Sequence, residues 1–359
     1  MDKRIIAIHL PQFHPFKEND EWWGKGFTEW TNVAKARPRY RGHYQPHIPA
    51  DLGFYDLRLE DARIAQAELA REYGIYGFCY YHYWFNGKQL MERPVKEILS
   101  TGKPDFPFML CWANENWSRN WDGGYSKVLI KQDYTHEDDK LHMEYLCREV
   151  FSDRRYIRIN NKPIFVIYKP DQFPDMKKTI EIWRDVASKY GIELYLAFME
   201  RNKEQSSLFL SYGYDAAIDF QPRNRGDFGK KCSGNWVIRR VYHRLFESPN
   251  EITNYEEYVN YRLSLPIPSY KLFPTVTPNF DNSPRRVNQS FTAFKGSTPS
   301  LYGKWLSGTL KKYKPFSDEE NFVFINAWNE WAEGNHLEPD MKWGKAYLEE
   351  TQKAISQNE

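Results

Sequence analysis

Eight short apolar runs, each of strand length, alternate along this chain with segments of helical periodicity. The runs lie at residues 5–9, 75–81, 106–112, 164–168, 192–199, 214–220, 272–276 and from 322 onwards. Runs that are apolar throughout are typical of strands buried on both faces of a parallel sheet. Because nearly every run is followed by a helical segment, the pattern predicts an α/β protein with a (β/α)8 TIM barrel rather than a doubly wound sheet.

The predicted helices lie at residues 57–73, 92–102, 136–150, 176–190, 206–212, 255–263, 301–313 and 345–355. Two connections are longer than loops usually are, residues 10–55 after the first strand and an insertion at about 221–268 after the sixth. No internal repeat, linker or low-complexity tract divides the chain. We therefore expect residues 1–359 to form a single catalytic domain.

Charge and hydropathy exclude several kinds of partner. The 50 Lys and Arg residues against 48 Asp and Glu give a formal net charge of +2, so no net field attracts nucleic acid or an anionic membrane. No apolar run approaches the ~20 residues of a membrane span, and the N-terminal apolar region is too short for a signal peptide. The four cysteines lack C-x-x-C spacing, which indicates reduced thiols. The chain is predicted to be cytoplasmic, without a nucleic-acid partner or membrane insertion.

Aromatic residues make up 17% of the chain, with 13 Trp and 25 Tyr, and many of them stand beside Gly, Asn, Asp or His. Aromatic faces cover the apolar side of a sugar ring, while polar neighbours bind its hydroxyls. An oligosaccharide or polysaccharide is therefore the expected partner.

Polar and aromatic side chains are concentrated just after the predicted strands, at the barrel end that carries active sites in this architecture. The predicted substrate-binding residues are Gln12, His14, Glu29, Trp30, His82, Tyr83, Trp84, Trp112, Asn114, Glu115, Trp117, Tyr168, Glu200, Gln221, Asp281, Arg285, Trp328 and Asn329. A single site requires Trp30, His82, Glu115, Asp281 and Glu333 to line one pocket.

The last predicted strand runs into a turn that carries Glu330 and Glu333 and is closed by Gly334. Cleavage of a glycosidic bond needs a proton donor on the departing oxygen and a second carboxylate or base. Two glutamates three residues apart can reach one cavity, where repulsion and partial burial would raise one pKa. We expect Glu330 and Glu333 to be the catalytic pair. Glu115, Glu29 and Asp281 stay alternatives as acid or base, although substrate contacts are favoured for Glu115 and Glu29.

No cofactor is predicted. The histidines that could form a metal set are His9, His14, His43, His47, His82 and His336. They show neither i, i+4 pairing on a helix nor a Cys partner, so no metal site is expected. No nucleotide-binding site is predicted either, because the sequence has no Asp-x-Asp motif and no Gly-x-Gly-x-x-Gly loop after a strand.

Several motifs resemble the WbsX-type family of polysaccharide biosynthesis loci, which is described as glycosyltransferase-like. They are Leu-Pro-Gln-Phe-His-Pro at 10–15, Gly-Phe-Thr-Glu-Trp-Thr-Asn-Val at 26–33, Gly-His-Tyr-Gln-Pro at 42–46, Tyr-Tyr-His-Tyr-Trp at 80–84, Cys-Trp-Ala-Asn-Glu-Asn-Trp at 111–117 and Trp-Asn-Glu-Trp-Ala-Glu-Gly at 328–334. The match covers essentially the whole chain.

The same elements are similar to glycoside hydrolase family 99, the metal-independent, retaining endo-α-mannosidases and endo-α-mannanases with a (β/α)8 barrel. That resemblance implies that Glu333 is the general acid/base and that Glu330 acts on the sugar's 2-hydroxyl, giving a 1,2-anhydrosugar intermediate. It also implies substrate contacts for Glu115, Tyr168, Asp281 and Arg285. Ala332 departs from the pattern, because those hydrolases commonly have His there.

Three functions follow from these observations. The first is a retaining endo-glycosidase acting on an α-linked, mannan-like or O-antigen-like polysaccharide. The second is a glycosyltransferase of lipopolysaccharide or capsule biosynthesis, which the missing secretion signal favours. The third is a non-catalytic glycan-binding protein, which would require that the two glutamates do not share a cavity.

Overall fold

The computed structural model describes residues 3–118, 128–222, 250–286 and 289–358. Within them a parallel sheet closes into the predicted (β/α)8 barrel. Its strands are β1 (Arg4–His9), β2 (Gly77–Phe85), β3 (Phe108–Trp112), β4 (Lys162–Ile167), β5 (Tyr195–Glu200), β6 (Ala216–Asp219), β7 (Leu272–Phe273 with Thr275–Val276) and β8 (Phe322–Ile325). β1 pairs with both β2 and β8, with Ala7 aligned to Phe78 on one side and to Ile325 on the other.

Closure of the barrel depends on β7, which is divided by Pro274. Leu272–Phe273 pairs with β6, whereas Thr275–Val276 pairs with β8. Proline has no backbone N–H to donate, but its carbonyl still accepts a hydrogen bond of 2.8 Å from the Phe324 N–H. The strand therefore continues across the interruption and joins its two neighbours.

The helices are α1 (Lys17–Trp23), α2 (Glu29–Lys35), α3 (Glu60–Glu72), α4 (Arg93–Thr101), α5 (His136–Tyr145), α6 (Met176–Lys189), α7 (Lys203–Ser211), α8 (Tyr255–Ser264), α9 (Pro299–Lys312) and α10 (Ala346–Ser356). A π-helical turn, Leu146–Val150, extends α5. The predicted helices correspond to α3 to α10. The long connection after β1 contains α1 and α2, which the sequence did not predict.

β2 extends beyond its predicted end at residue 81, because its last residues pair with the strand segment Lys88–Leu90. After Phe85 the chain forms a two-residue turn at Asn86 and Gly87, with φ of 48° and 82°, and Lys88–Leu90 then pairs antiparallel with β2. Positive φ at both turn residues is what a type I′ hairpin requires, and Asn-Gly is its preferred sequence. This hairpin extends the aromatic end of β2 beyond the barrel rim.

All nine residues of β2 and all four of β8 are buried, in line with strands covered on both faces. Cys79, Cys111 and Cys147 are buried free thiols, whereas Cys232 lies outside the described residues. The same holds for residues 223–249 of the predicted insertion and 119–127 of the loop after β3. Among the helices that the structure describes, none has the length and apolar character needed to cross a membrane.

Candidate active site

A pocket of about 240 Å³ opens at the C-terminal ends of the barrel strands. It is lined by Leu10, Gln12, Tyr81, Tyr83, Ala113, Glu115, Asn116, Trp117, Ser118, Tyr168, Phe220, Arg285, Asn326, Glu330 and Glu333. These residues follow, or lie at the ends of, β1, β2, β3, β4, β6, β7 and β8. We call this cavity the barrel pocket.

Three carboxylates of the site share one guanidinium. Arg285 donates from Nη1 to Glu333 Oε1 at 2.6 Å and from Nη2 to Glu330 Oε2 at 2.7 Å. The same Nη2 donates to Glu29 Oε1 at 2.6 Å, and the Ala332 N–H donates to that oxygen at 3.0 Å. Glu330 and Glu333 line the barrel pocket, whereas the side chain of Glu29 is fully buried behind them.

The turn after β8 explains why Glu330 and Glu333 face the same cavity. Asn329–Glu330 pairs antiparallel with Asn335–His336, and a 3-10 turn at Trp331–Glu333 connects them. Gly334 ends that turn with a φ of 54°, and a Cβ there would lie 3.1 Å from the Cβ of Asp281. Glycine adopts this left-handed conformation without strain, and a larger residue would also crowd Asp281.

Two further hydrogen-bond sets fix the turn against the barrel. The side-chain oxygen of Asn329 accepts from the Leu10 N–H at 2.7 Å, and its amide nitrogen donates to the Leu10 carbonyl at 3.0 Å. The Asp281 N–H donates to the Glu333 carbonyl at 2.5 Å. The turn is thereby attached to the ends of both β1 and β7.

Burial sets the protonation of this cluster. It raises the pKa of Glu330 to about 8, with Arg285 opposing the shift and Glu333 and Glu29 adding to it. Burial likewise raises the pKa of Glu29, again against the effect of Arg285. Burial alone would lower the pKa of Arg285, but the three carboxylates hold it well above its ordinary value. Near neutral pH the cluster therefore keeps a proton on Glu330 beside a permanent cation.

Aromatic rings form much of the remaining wall. Tyr168 packs edge-on against Tyr81 and Phe220, with centroid distances of 6.0 and 5.3 Å, and Tyr83 packs edge-on against Trp117 at 5.3 Å. Burial raises the pKa of the Tyr168 phenol, so that it stays a hydrogen-bond donor. A wall of rings with hydroxyl groups matches the two faces of a sugar.

Polar groups at the rim complete the pocket. Gln12 is buried, and its Nε2 has no hydrogen-bond partner among the described residues. Glu115 forms an ion pair with Lys169 while its side chain remains 44% exposed. Both groups are positioned to bind hydroxyls of a ligand.

Six of the predicted substrate-binding residues line the barrel pocket, namely Gln12, Tyr83, Glu115, Trp117, Tyr168 and Arg285. A seventh, Glu29, is buried directly behind it through its contact with Arg285. The other predicted residues lie outside it: His14, Trp30, His82, Trp84, Trp112, Asn114, Glu200, Gln221, Asp281, Trp328 and Asn329. Of the five residues expected to share one pocket, Glu115 and Glu333 do so, whereas Trp30, His82 and Asp281 do not.

Strand geometry explains the division within β2. Successive side chains of a strand point to opposite faces, so Tyr81 and Tyr83 face the pocket while His82 and Trp84 face outwards. His82 Nε2 lies 2.9 Å from His142 Nε2 on α5, and Trp84 stacks on the His142 ring. Tyr81 lines the pocket without being among the predicted site residues, although this alternation indicates it.

Several residues outside the pocket hold its scaffold together. The Trp30 Nε1–H donates to the Tyr55 carbonyl at 2.8 Å. The side chain of Asn114 bonds both the N–H and the carbonyl of Lys169 at 2.8 Å. Trp328 is completely buried in the core. These side chains therefore position the loops that carry the site.

Other predicted residues outside the pocket form hydrogen bonds with neighbouring segments of the chain. His14 Nδ1 lies 3.1 Å from the Pro11 carbonyl, and the Trp112 Nε1–H donates to the Trp84 carbonyl at 3.2 Å. Glu200 accepts a hydrogen bond from the Ser206 hydroxyl. The Gln221 amide donates to Asp219 at 2.8 Å. Their polar groups are engaged within the protein.

Asp281 belongs to a second cavity of about 280 Å³ on the other side of the Gly334 turn. Its Oδ2 accepts hydrogen bonds of 2.6 Å from both His43 Nε2 and Gln45 Nε2. Burial opposes ionisation, but these bonds hold the pKa of Asp281 below its ordinary value. His47, His336 and Asp340 line the same cavity, and their potential metal-ligating atoms lie within 4.8 Å of one another.

Two solved structures share this fold over nearly the whole chain. A protein described as "Glycoside hydrolase-like protein" has a TM-score of 0.60 at 14% identity, covering 99% of this chain and 94% of its own. The GH99 endo-alpha-mannosidase from Bacteroides thetaiotaomicron, in complex with bis-tris-propane, has a TM-score of 0.61 at 12% identity, covering 100% and 98%. At these identities the likeness establishes a common fold.

Sequence relatives are closer. The uncharacterised protein WxcX of Xanthomonas campestris pv. campestris is 38% identical over 354 residues, which is 98% of this chain and 49% of the relative. The chain thus spans about half the length of the curated relatives that it matches. The model of the family described as "Glycosyltransferase WbsX" matches residues 5–351. This protein belongs to the Glycosyltransferase WbsX family.

Proposed function

We propose that this protein is a carbohydrate-active enzyme that cleaves an α-linked polysaccharide with retention of configuration, using Glu330 and Glu333 as its catalytic pair. The observation that carries the proposal is that both carboxylates face one open pocket while the two terminal nitrogens of Arg285 hold them at 2.6 and 2.7 Å. The glycoside-hydrolase-like barrel and the family membership support carbohydrate chemistry at this end of the barrel. The substrate class, a mannan-like or O-antigen-like chain, is part of the proposal.

The proposed reaction has two steps. In the first, Glu333 donates a proton to the departing glycosidic oxygen while Glu330 removes the proton of the sugar's 2-hydroxyl. The 2-oxygen then attacks the anomeric carbon and closes a 1,2-anhydro ring as the leaving group departs. In the second, Glu333 takes a proton from water, the resulting oxygen nucleophile opens the ring, and Glu330 returns the proton to the 2-oxygen. Two inversions give net retention.

The pair needs one proton in total, whichever carboxylate holds it. Burial raises the pKa of Glu330 to about 8 and so favours this residue as the holder of that proton in the unliganded protein. The proposed roles require this proton on Glu333. Moving it from Glu330 to Glu333 leaves the net charge of the pair unchanged, because the two coupled carboxyl groups titrate as one unit. Arg285 contacts both carboxylates and stays charged, so it stabilises either arrangement.

The family description favours a second function, sugar transfer. If an acceptor hydroxyl took the place of water in the second step, the same pair would catalyse transglycosylation. Transfer from a nucleotide sugar would need a different donor site. Products with and without an added acceptor therefore distinguish hydrolysis from transfer.

The test is a product screen on α-linked oligosaccharides with wild type, Glu333→Gln and Glu330→Gln. Each substitution is expected to reduce cleavage by about 10²–10⁴-fold, the usual contribution of an acid or base. Glu149→Gln is the control, because its half-exposed side chain pairs with Arg148 on the surface. Cleavage that survives in both site variants, or turnover of a nucleotide sugar that neither variant affects, would contradict the proposal.

An α-glycosyl fluoride separates the two roles. Fluoride departs without a proton donor, so Glu333→Gln should retain far more activity on it than on an oligosaccharide. Glu330→Gln should lose activity on both substrates, because the 2-hydroxyl still needs a base. The reverse pattern would exchange the roles of the two residues.

A further inference from the structure

The second cavity contains three buried side chains whose donor atoms point at one another. His47 Nδ1 lies 2.8 Å from His336 Nε2. Asp340 Oδ2 lies 4.0 Å from His47 Nδ1 and 3.8 Å from His336 Nε2. Each of the three side chains is at most 5% exposed. Two imidazoles and one carboxylate therefore converge on a common point beside the Gly334 turn.

The surroundings of His336 fix its ring in one tautomer. Its Nδ1 lies 2.8 Å from the Glu338 carbonyl, which can only accept, so Nδ1 carries the hydrogen. Nε2 is consequently the atom with the free lone pair, and it faces His47 and Asp340. The Trp331 ring stacks on His336 at a centroid distance of 3.8 Å, which holds the imidazole in this orientation.

Asp340 is oriented in a comparable way. Its Oδ1 accepts the backbone N–H groups of Lys342 at 2.8 Å and Trp343 at 2.7 Å. That leaves Oδ2 directed at the histidines, with the Tyr44 side chain as a further hydrogen-bond partner of the carboxylate. A carbonyl behind one histidine and backbone donors behind the carboxylate are the outer-shell contacts that orient ligands in metal sites.

We propose that His47 Nδ1, His336 Nε2 and Asp340 Oδ2 bind one divalent transition-metal ion of the Zn²⁺ type. Two imidazole nitrogens and a carboxylate oxygen are a donor set that such ions accept, at distances of about 2.0–2.2 Å. In tetrahedral geometry those distances place donor atoms about 3.3 Å apart. The two nitrogens would separate by about 0.5 Å and the carboxylate would approach by a similar amount.

Proton balance is compatible with binding. The 2.8 Å contact between His47 Nδ1 and His336 Nε2 requires a lone pair on one of these nitrogens, and neutral imidazole is the form that ligates metals. Without metal, His47 Nδ1 donates its hydrogen to His336 Nε2. On binding, the hydrogen of His47 moves to its Nε2 and the metal takes its place between the rings, so that no net proton is released.

His47, His336 and Asp340 all line the second cavity, so a fourth coordination position would open into it. A protein that supplies three ligands and leaves one side open matches the pattern of sites that keep a water or a bound ligand on the metal. Lys342 opposes a cation here, since its Nζ lies 4.4 Å from the centre of the Tyr44 ring at the cavity wall. Asp340 and Asp281 supply the opposite charge within the same wall.

The position of the site indicates its structural effect. His47 comes from the long connection after β1, whereas His336 and Asp340 follow the turn that carries Glu333. A metal would cross-link the two loops directly behind the barrel pocket. Metal binding does not depend on the function proposed for that pocket, and its test does not require a glycan substrate.

The experiment uses the full chain, stripped with a chelator and titrated with Co²⁺ and then Zn²⁺. We expect one equivalent of Co²⁺ to give visible absorption bands of low-coordinate nitrogen and oxygen ligation, and Zn²⁺ to displace it. Saturation should raise the thermal midpoint by several degrees, because a ligand that binds only the folded state stabilises it. Wild-type protein that binds neither ion stoichiometrically at micromolar concentration would overturn the proposal without any variant.

Two near-isosteric variants assign the site. His336→Gln and Asp340→Asn should each weaken Co²⁺ binding by more than about 100-fold, since each removes one of three ligands. His136→Ala is the control, because that side chain is 58% exposed and lies on α5. Unchanged affinity in Asp340→Asn, or equal loss in His136→Ala, would show that the ions bind elsewhere.

Discussion

Replacing Glu330 by Gln allows the raised pKa of this buried carboxyl group to be measured through the pH dependence of protein stability. Folding raises the pKa of Glu330 from its ordinary value of 4.5 to about 8 because the side chain is buried. The folded protein therefore keeps a proton that the unfolded chain loses, so the contribution of this group to stability falls as pH rises from about 5 to about 8. One proton gives a slope of about 1.4 kcal/mol per pH unit, on the order of 4 kcal/mol over the whole interval.

The glutamine side chain introduced by Glu330→Gln has nearly the same shape and can still accept a hydrogen bond from Arg285, but it does not ionise. Urea unfolding of both proteins between pH 5.5 and 7.5 should therefore give a stability difference that shifts in favour of the variant by about 1.4 kcal/mol per pH unit. Groups that do not interact with Glu330 cancel in this difference, whereas Glu29 and Glu333, which are coupled to it, contribute to the measured trend. Glu149→Gln should show no such trend, because water solvates its half-exposed carboxylate in both states. Parallel pH profiles for wild type and Glu330→Gln would refute the raised pKa and with it the proton that the pair is proposed to share.

Three other predictions concern activity and packing. The kcat/KM for glycan cleavage should fall above about pH 8, where Glu330 loses its proton, and a rate that keeps rising to pH 9 would contradict the one-proton pair. Glu115→Ala should raise KM by about tenfold with a smaller effect on kcat, because its carboxylate lines the pocket rim; an unchanged KM in steady-state assays would exclude a substrate contact. Glu338→Ala should destabilise the fold by on the order of 3 kcal/mol in urea unfolding, because Tyr55, Gln66 and Trp331 all donate to this buried carboxylate at 2.6–2.8 Å. A Glu338→Ala variant as stable as the wild type would show that these donors find other acceptors.

The barrel was predictable because its signal is local. A strand covered on both faces must be apolar along its length, and a surface helix must be apolar on one side, so both patterns are visible in a single sequence. The end of β2 carried a further local signal, since Asn86 and Gly87 form the preferred type I′ hairpin turn. The hairpin with Lys88–Leu90 is not predicted, because the polar and aromatic residues before the turn are also typical of a loop after a strand.

The sequence predicts which end of the barrel carries the site, but not which side chains at that end face the pocket. That functional side chains follow the strands is a property of the architecture, and Glu330, Glu333, Glu115 and Tyr168 do line one cavity. Which rim residues face inward depends on side-chain direction. His82 was selected with Tyr83, yet adjacent residues of a strand point in opposite directions, and His82 packs against α5.

Contacts between residues that lie far apart in the sequence were not predictable. Glu29 lies 256 residues before Arg285, and their ion pair forms only because the connection after β1 folds over the turn after β8. His47 and His336 are 289 residues apart, so spacing rules for metal sites, which look for ligands close together in the chain, could not detect them.

The sequence by itself therefore determined the barrel, the end that carries polar groups and the acidic turn at 330–333, because periodicity and residue type act over a few neighbouring positions. Tertiary structure alone decided that one arginine holds three carboxylates and that two distant histidines meet an aspartate. The physical reason is that charge pairing and burial depend on distances through space. Those distances are set by barrel closure and loop packing, which bring together residues from the two ends of the chain.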